Sequence, residues 1–188
     1  MAKMYVFRHG QTEFNRDKIF TGWLESKLTK KGIRQAKKIN KLMKGLKIDL
    51  GIQTKLSRSK DTLKIVLKGH TEKTKIVTDN RMIERSYGKL SGKRHEDTIK
   101  EYGREQFNKW HRGWRVRPPG GESFADVEIR VKEFLKDLKK KYGGRQMNIA
   151  VSASGNSIRL LRKIMEKAKT KTACKWKIPY DQYFKYTI

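Results

Sequence analysis

Cysteine and long apolar runs are almost absent from this chain of 188 residues. Cys174 is the only cysteine, so the chain can form no intrachain disulfide and no cysteine-based metal cluster. No apolar block approaches the roughly 20 residues that cross a bilayer. Residues 1–7 run into a strand-like segment without the apolar core of a secretory signal. We therefore expect a soluble, cytoplasmic protein with no membrane partner.

Acidic residues are also scarce: 19 aspartates and glutamates stand against 47 lysines and arginines, which gives a net charge of +28. A field of this strength attracts polyanions. The lysines are, however, spread along every predicted helix, and the chain has neither a basic tail nor a recognisable nucleic-acid motif. We expect a solvated basic surface that binds nucleic acid only non-specifically, through charge.

Short apolar runs alternate with amphipathic segments along the chain. Strands are predicted at residues 5–7, 48–54, 75–78, 147–153 and 183–188, and helices at residues 29–43, 59–67, 95–110, 123–142 and 157–167. Thr29 is a candidate N-cap for the first of these helices. The alternation predicts one α/β domain over residues 1–188, a three-layer fold with a mainly parallel central sheet and helices on both faces. Residues 79–122 are predicted to form a long, lid-like excursion from it.

Reactive side chains stand where two of the predicted strands end. His9 follows the first strand directly beside Arg8, and Arg58 comes just after the second. Phosphoryl transfer by a side chain needs a nucleophile, cations that hold the equatorial oxygens and a proton donor for the leaving oxygen. His9 can supply the first, guanidinium forks the second, and Glu84 is a candidate general acid. We expect the ends of two neighbouring parallel strands to bring these groups together, with Ser154 facing the same space.

These residues fall within a longer series of motifs in a fixed order. The series consists of Arg8-His9-Gly10-Gln11-Thr12-Glu13-Phe14-Asn15, Phe20-Thr21-Gly22-Trp23, Leu28-Thr29-x-x-Gly32-x-x-Gln35-Ala36, Thr54-x-Leu56-x-Arg58-x-x-x-Thr62, Glu84-Arg85-x-Tyr87-Gly88-x-Leu90-x-Gly92, Pro118-Pro119-Gly120-Gly121-Glu122-Ser123 and Gly155-Asn156-Ser157-Ile158-Arg159. In residues and in order it resembles the cofactor-dependent phosphoglycerate mutases of the histidine phosphatase superfamily. The resemblance runs over residues 5–162, and it implies the phosphoglycerate mutase-like fold.

The resemblance implies a catalytic centre made of four residues. His9 becomes the phosphohistidine, Arg8 and Arg58 hold the transferred phosphoryl group, and Glu84 is the acid/base. It also implies that 2,3-bisphosphoglycerate is the phosphoryl primer and that no metal takes part. The implied reaction interconverts 2- and 3-phosphoglycerate.

The same resemblance implies a set of substrate contacts. Asn15 contacts the phosphoryl group, Thr21 and Gly22 hold the substrate carboxylate, Arg85 and Arg112 bind the second phosphate of a bisphosphorylated ligand, and Tyr87, Gly155 and Asn156 line the pocket. The implied partner is a small phosphorylated molecule.

One departure from the family falls at the catalytic centre. Where the family has a second histidine before Gly155, this chain has Ser154. That histidine presents a charged donor to the phosphoryl oxygens, whereas a serine hydroxyl is neutral and shorter. Loss of one preorganised donor costs about 3–4 kcal/mol, so we expect phosphoryl transfer to slow by roughly 10²–10³-fold. Natural divergence and a substitution introduced to trap a complex both produce this residue.

Two further departures concern the substrate pocket. His95, flanked by Lys93 and Arg94, stands where the mutases have a lysine, and His111-Arg112 stands where they have paired arginines. The chain also lacks the long insertion that bacterial mutases carry near the proline pair. A reduced lid is common among relatives that act only as phosphatases.

Three functions are compatible with these residues. The first is a phosphoglycerate mutase weakened by Ser154. The second is a broad-specificity histidine phosphatase, in which water takes the phosphoryl group, and the short lid indicates it. The third is a non-catalytic phosphate or nucleic-acid binder, which the serine and the net charge of +28 indicate. An oligomer is compatible with each.

Overall fold

Five strands form one sheet in residues 1–70 and 74–188, the part of the chain that the computed structural model describes. They are β1 (Lys3–Arg8), β2 (Leu50–Gln53), β3 (Lys75–Thr78), β4 (Asn148–Ala153) and β5 (Tyr183–Thr187). Their order across the sheet is β3-β2-β4-β1-β5. The first four run parallel and β5 pairs antiparallel with β1, which confirms the predicted, mainly parallel sheet.

The strands that precede His9 and Arg58 are not neighbours, so the expectation of two adjacent strands is wrong. β4 lies between β1 and β2, and Arg8 of β1 is in register with Ala153 of β4. The reason is topological, because the crossover from β1 to β2 leaves one strand position free and the last parallel strand fills it. The carboxyl ends of β1, β4 and β2 therefore lie side by side along one edge of the sheet.

Helices cover both faces of this sheet. They are α1 (Glu13–Arg16), α2 (Lys30–Leu42), α3 (Ser57–Val66), α4 (His95–Arg112), α5 (Phe124–Tyr142), α6 (Gly155–Met165) and α7 (Thr170–Lys175). Strand residues alternate between the two helical layers: Met4 and Val6 pack with α5 and α6, whereas Tyr5 and Phe7 pack with α2 and α3. This alternation is the period of a strand, and it produces the three-layer α/β fold. No helix in the described residues is long and apolar enough to cross a bilayer.

Helices α2 and α5 begin at side chains that cap their free N–H groups. Thr29 Oγ1 accepts a hydrogen bond from Gly32 N (3.0 Å), and this cap starts α2 where the sequence predicts. Ser123 Oγ accepts from Asp126 N (3.2 Å), and the Asp126 carboxylate accepts from Ser123 N (2.8 Å). Each cap stabilises its helix by about 1 kcal/mol. The caps define where two of the helices that flank the sheet begin.

The predicted single helix over residues 95–110 is wrong, because α4 is broken at Gly103. Gly103 has φ 81° and ψ 158°, a region of backbone space that is essentially reserved for glycine. A straight helix would separate residues 95 and 111 by about 24 Å, yet the rings of His95 and His111 are 5.1 Å apart. The glycine therefore folds α4 into a hairpin with a first arm (95–102) and a second arm (104–112).

Candidate active site

A cavity of about 540 Å³ opens at the carboxyl edge of the sheet. The sequence-predicted residues that line it are Arg8, His9, Asn15, Thr21, Gly22, Arg58, Glu84, Tyr87, Arg112, Gly155 and Asn156. Two predicted residues, Arg85 and Ser154, are not among those that line it. One cavity thus collects most of the residues that the sequence singles out.

The inner end of the cavity consists of Arg8, His9 and Arg58. His9 is 2% exposed, and its backbone N–H donates to Ala153 O (3.0 Å). The ring Nδ1 lies 2.9 Å from Gly10 O; because a carbonyl only accepts, Nδ1 carries the proton and Nε2 carries the lone pair. Burial, and then the charges of Arg58 and Arg8, lower the pKa of His9 well below its ordinary value of 6.5. His9 is therefore a neutral imidazole with a free lone pair on Nε2.

Arg8 is held by the segment that follows α7. Its Nη1 donates to Ile178 O (3.1 Å), and its guanidinium carbon lies 3.9 Å from the centre of the Tyr180 ring. A Cβ on Gly155 would lie 3.0 Å from Arg8 Nε, so the absence of a side chain at this position leaves space for the guanidinium group. Arg8 Nε is buried and has no hydrogen-bond partner in the described chain. One strong donor of Arg8 is thus left for an anion.

Arg58 ties the loop that follows α1 to the inner end. Its Nη1 donates to Leu24 O (2.8 Å) and its Nη2 to Gly22 O (2.7 Å). The side chain is 1% exposed, and its Nε makes no hydrogen bond within the described residues. The partly buried guanidinium group of Arg8 and the buried one of Arg58 therefore each have a buried Nε–H without a partner in the described chain, an arrangement suited to phosphate oxygens.

The backbone of Glu84 is clamped beside these cations. Glu84 O accepts from Trp23 Nε1 (2.7 Å) and from Arg130 Nη2 (3.2 Å). In the side chain, Oε1 accepts from Arg85 N (2.7 Å). The carboxyl group is thus oriented at the cavity wall by its own segment. A fixed carboxyl at this place can give a proton to a leaving oxygen and take it back.

Ser154 directly follows β4 but does not reach the cavity. It is fully buried, its N–H donates to Met82 O (3.5 Å), and its Oγ makes no hydrogen bond within the described chain. The expectation that Ser154 faces the cavity is therefore not met, because the short hydroxymethyl group is not part of the lining. Residue 154 contributes no donor to the cavity wall.

Three predicted contacts lie in the loop that follows β1. Asn15 Oδ1 accepts from Thr12 N (3.2 Å) within the cap of α1, so its Nδ2 amide is the group left for a ligand. Thr21 is 5% exposed, and its Oγ1 donates to Ile19 O (3.4 Å). Gly22 has φ 49°, in the left-handed region that favours glycine. The loop thus brings an amide, a hydroxyl and a left-handed glycine turn to the cavity.

A chain of hydrogen bonds stiffens the opposite wall. Asn156 Nδ2 donates to Tyr87 OH (3.1 Å), and Asn156 Oδ1 accepts from Arg159 Nη1. Arg159 Nη2 also donates to Trp176 O (2.9 Å). Burial, and then the charge of Arg112, lower the pKa of Arg159 to about 10. Arg159 therefore stays cationic at neutral pH and adds a fixed positive charge to the cavity.

Arg85 lies behind the wall rather than in it. Its side chain is fully buried, and its Nη2 donates to Trp110 O (2.8 Å) near the end of α4. The guanidinium carbon lies 4.6 Å from the Tyr87 ring centre and 4.5 Å from that of Phe124. Arg85 thus stacks between two rings and fastens the second arm of α4. This position makes it a support of the cavity rather than part of its lining.

The outer end of the cavity consists of His95, His111 and Arg112, one residue from the first arm of α4 and two from the second. Burial, and then the charge of Arg112, lower the pKa of His95 to about 4 and that of His111 to about 2. Both imidazoles are therefore neutral at pH 7. Arg112 is exposed and forms no hydrogen bond or ion pair within the described chain.

Sequence reasoning missed several residues of the cavity, among them Lys18, Arg159, Lys177 and Tyr180. Arg159 had a signal, since it closes the last of the family-like motifs. Lys18 has a φ of 54°, unusual for a residue other than glycine, and no sequence pattern indicates it. Lys177 and Tyr180 belong to the segment after α7, which only the folded chain brings to Arg8.

The lining is unbalanced in charge. Its cations are Arg8, Lys18, Arg58, Arg112, Arg159 and Lys177, and Glu84 is its one carboxylate. No group of three His, Cys, Asp or Glu residues that could hold a metal ion occurs in the described part of the chain. The donor set therefore suits a multiply charged anion.

The sequence and the fold both have known relatives. Residues 4–186 match the Histidine phosphatase superfamily (branch 1). The chain is 37% identical to a 2,3-bisphosphoglycerate-dependent phosphoglycerate mutase of Afipia carboxidovorans, over 87% of this chain and 81% of that protein. It is 38% identical to the enzyme of the same name from Mesorhizobium japonicum, over 84% of this chain and 78% of that protein.

Solved structures share the fold at lower identity. A putative α-ribazole-5'-P phosphatase from Escherichia coli superposes with a TM-score of 0.83 at 24% identity, covering 98% of this chain and 90% of that one. A phosphoglycerate mutase from Bacillus anthracis superposes with a TM-score of 0.78 at 20% identity, covering 99% and 88%. With the match over residues 4–186 and the relatives above 30% identity, these findings show that the chain belongs to the histidine phosphatase superfamily.

Proposed function

We propose that this chain transfers phosphoryl groups through a phosphohistidine at His9, as a phosphoglycerate mutase that interconverts 2- and 3-phosphoglycerate. One observation carries the proposal: a buried, neutral His9 with its lone pair on Nε2 shares the cavity with Arg8 and Arg58, whose Nε groups have no hydrogen-bond partner among the described residues. The names of the relatives from Afipia carboxidovorans and Mesorhizobium japonicum support glycerate phosphates as substrates.

The proposed step is a single in-line displacement. His9 Nε2 attacks the phosphorus, the bond from phosphorus to the substrate oxygen breaks, and Glu84 gives its proton to that oxygen. Arg8 and Arg58 hold the equatorial oxygens, where negative charge accumulates. In the return step the second substrate oxygen attacks the phosphohistidine, Glu84 takes its proton, and Nε2 recovers its lone pair. No net change in oxidation or charge is required.

The charge of the cavity fits the bisphosphorylated primer that the family uses. Bound 2,3-bisphosphoglycerate supplies the phosphoryl group that first loads His9. The unpaired Nε groups of Arg8 and Arg58 would hold that phosphate, and Arg112 with Lys18 would hold the second one. The lining contains six cations and one carboxylate, so it offsets the negative charge of this ligand.

Ser154 limits the rate of this chemistry in our proposal. The relatives' second histidine would add a cationic donor to the inner end, and the buried serine adds none. Arg8 and Arg58 remain to hold the phosphoryl group. The chain is then a slow mutase, retarded by roughly 10²–10³-fold.

A broad-specificity phosphatase is the second candidate, and the outer end favours it. Two neutral imidazoles, His95 and His111, occupy positions where the mutases carry permanent cations, so a second acidic group is held less firmly at neutral pH. In this reaction water, rather than a glycerate hydroxyl, attacks the phosphohistidine and Glu84 takes the water proton. Inorganic phosphate is then the product.

The test is incorporation of radiolabelled phosphate from 2,3-bisphosphoglycerate. We expect an acid-labile phosphoenzyme in the unmodified chain and in a Ser154→His variant, and none in a His9→Asn variant. Absence of label in both of the first two proteins would overturn the assignment of His9. Product analysis separates the candidates: isomerised glycerate phosphate indicates the mutase, and inorganic phosphate alone indicates the phosphatase. Reversible binding of 2,3-bisphosphoglycerate without covalent label in either protein indicates a non-catalytic phosphate binder.

A further inference from the structure

The two histidines of the outer end form a packed pair rather than two separate surface residues. Their ring centres are 5.1 Å apart. The Phe20 ring lies 4.3 Å from His95 and 5.9 Å from His111, and the Phe107 ring lies 5.4 Å and 5.1 Å from them. Both histidines line the cavity. The pair is thus an aromatic cluster with one side open to a ligand.

The groups around His95 and His111 disfavour protonation of either ring. Arg112 and Lys18 are the charged groups that act on His95. His95 also begins the first arm of α4, where the helix dipole disfavours a cation. Two imidazolium ions about 5 Å apart would repel each other as well. Without an anion between them, the rings stay neutral.

The His111 ring also has positively charged neighbours. Arg112, His95, Arg85 and Arg159 are the charged groups that act on His111. All of them are cations or, in the case of His95, a potential cation. None of the charged groups of the described chain that act on the pair is a carboxylate, which would let it hold a proton in the free protein. A bound anion would supply that negative charge.

We propose that His95 and His111 form a proton-linked anion subsite, which becomes charged when an acidic group of the substrate binds beside Arg112. The inference rests on the proposed function, since it assumes that the phosphate of the same molecule lies at the inner end. An anion next to the rings stabilises the imidazolium form, so binding takes up a proton. The cavity then selects phosphomonoesters that carry a second acidic group, and it does so more strongly as pH falls.

The sign of the effect follows from linkage. The free pair binds no proton at neutral pH, and the complex binds one, so affinity for the second acidic group falls as pH rises. The slope reaches about tenfold per pH unit for one linked proton. The exposed side chain of Arg112, which has no partner in the described part of the chain, explains why the ligand group is an anion rather than an apolar group.

A matched pair of ligands isolates this effect. 3-Phosphoglycerate and glycerol 3-phosphate carry the same titrating phosphate, and only the first has a carboxylate. We expect the ratio of their affinities to fall by up to about tenfold per unit as pH rises between about 5 and about 8. Titration of the phosphate, or of groups that act on it alone, cancels in this ratio. A ratio that does not change with pH in the unmodified chain would overturn the inference.

Variants locate the linked proton. The double variant His95→Lys with His111→Arg carries permanent charge, and its ratio is expected to be high and independent of pH. The double variant with Gln at both positions is expected to show a low, flat ratio. His70→Gln is the control, because His70 bonds to Leu46 O outside the cavity, and it is expected to keep the slope. A slope that survives in the Gln variant contradicts the inference.

A further variant separates this inference from the proposed function. Arg58→Gln weakens the shared phosphate contact, so we expect both ligands to lose affinity to a similar degree. If Arg58→Gln leaves both affinities unchanged, the phosphate does not lie at the inner end and the proposed function fails, together with the inference built on it. If both affinities fall and the ratio is flat in the unmodified chain, only the inference fails.

Discussion

The inner and outer ends of the cavity differ in how they are built and in how they hold charge. The inner end follows directly from strands β1 and β2, and its cations are guanidinium groups. The outer end stands on the two arms of α4, and two of its three groups are neutral imidazoles. Under the proposed function, this difference would make recognition of one phosphate independent of pH and recognition of a second acidic group dependent on pH.

The largest expected effect is at the inner end. We expect Arg58→Gln to slow formation of the phosphoenzyme by about 10³-fold, because it removes a charge-assisted donor to the phosphoryl oxygens. Rapid-quench measurement of label on His9 tests this. Arg34→Gln, an exposed arginine of α2, is the matched control and should change the rate less than about twofold. A rate within tenfold of the unmodified chain would remove Arg58 from the phosphoryl site.

The same variant should also change the pH dependence. The charge of Arg58 contributes to the lowered pKa of His9, so its loss raises that pKa towards 6.5. Protonated His9 has no lone pair on Nε2, and the rate therefore begins to fall at a higher pH in Arg58→Gln than in the unmodified chain. An acid limb that does not move would show that Arg58 does not act on His9.

The next largest effect concerns Ser154. We expect Ser154→His to accelerate turnover by about 10²–10³-fold, because it adds a cationic donor next to the inner end. Steady-state kinetics with 2- and 3-phosphoglycerate measure the change. Ser154→Ala is the control: since Ser154 Oγ has no partner in the described chain, its loss should alter turnover little. If Ser154→His gives no gain, the inner end does not need that donor.

A smaller effect is expected at the hinge of the outer end. Gly103→Ala forces a Cβ into a backbone region of essentially glycine-only character, which costs about 1–3 kcal/mol of stability. The arms of α4 should then separate, and affinity for 3-phosphoglycerate should fall by about tenfold while that for glycerol 3-phosphate stays within about twofold. Gly144→Ala is the control, because no atom lies within 4 Å of an added Cβ there.

The smallest effect is expected for the Tyr180 ring, which lies over Arg8. We expect Tyr180→Leu to raise KM for a phosphomonoester by about threefold, because it removes a cation–π contact worth about 0.5–1 kcal/mol. Tyr180→Phe keeps the ring and should leave KM unchanged. If Tyr180→Phe has the same effect as Tyr180→Leu, the hydroxyl rather than the ring supports Arg8.

Local patterns in the sequence determined much of the inner end. The apolar runs before His9 and before the loop to Arg58 predict strands, and residues that follow parallel strands meet at one edge of the sheet. Thr29 and Ser123 start their helices through caps that involve residues only three positions away. Such features depend on neighbours in the chain, so the sequence alone was sufficient for them.

Tertiary structure alone decided the rest of the site. Periodicity does not reveal that β4 lies between β1 and β2, since strand order depends on long-range packing. A glycine within a helical pattern does not by itself indicate that the chain reverses direction there. The close approach of His95 and His111 was therefore not predictable from the sequence. The motif predicts Arg85 as a site residue, yet its packing against Tyr87 and Phe124 places it behind the cavity wall. The sequence thus determined which residues are proposed to carry phosphoryl chemistry, and contacts between distant segments decided which of them share the cavity.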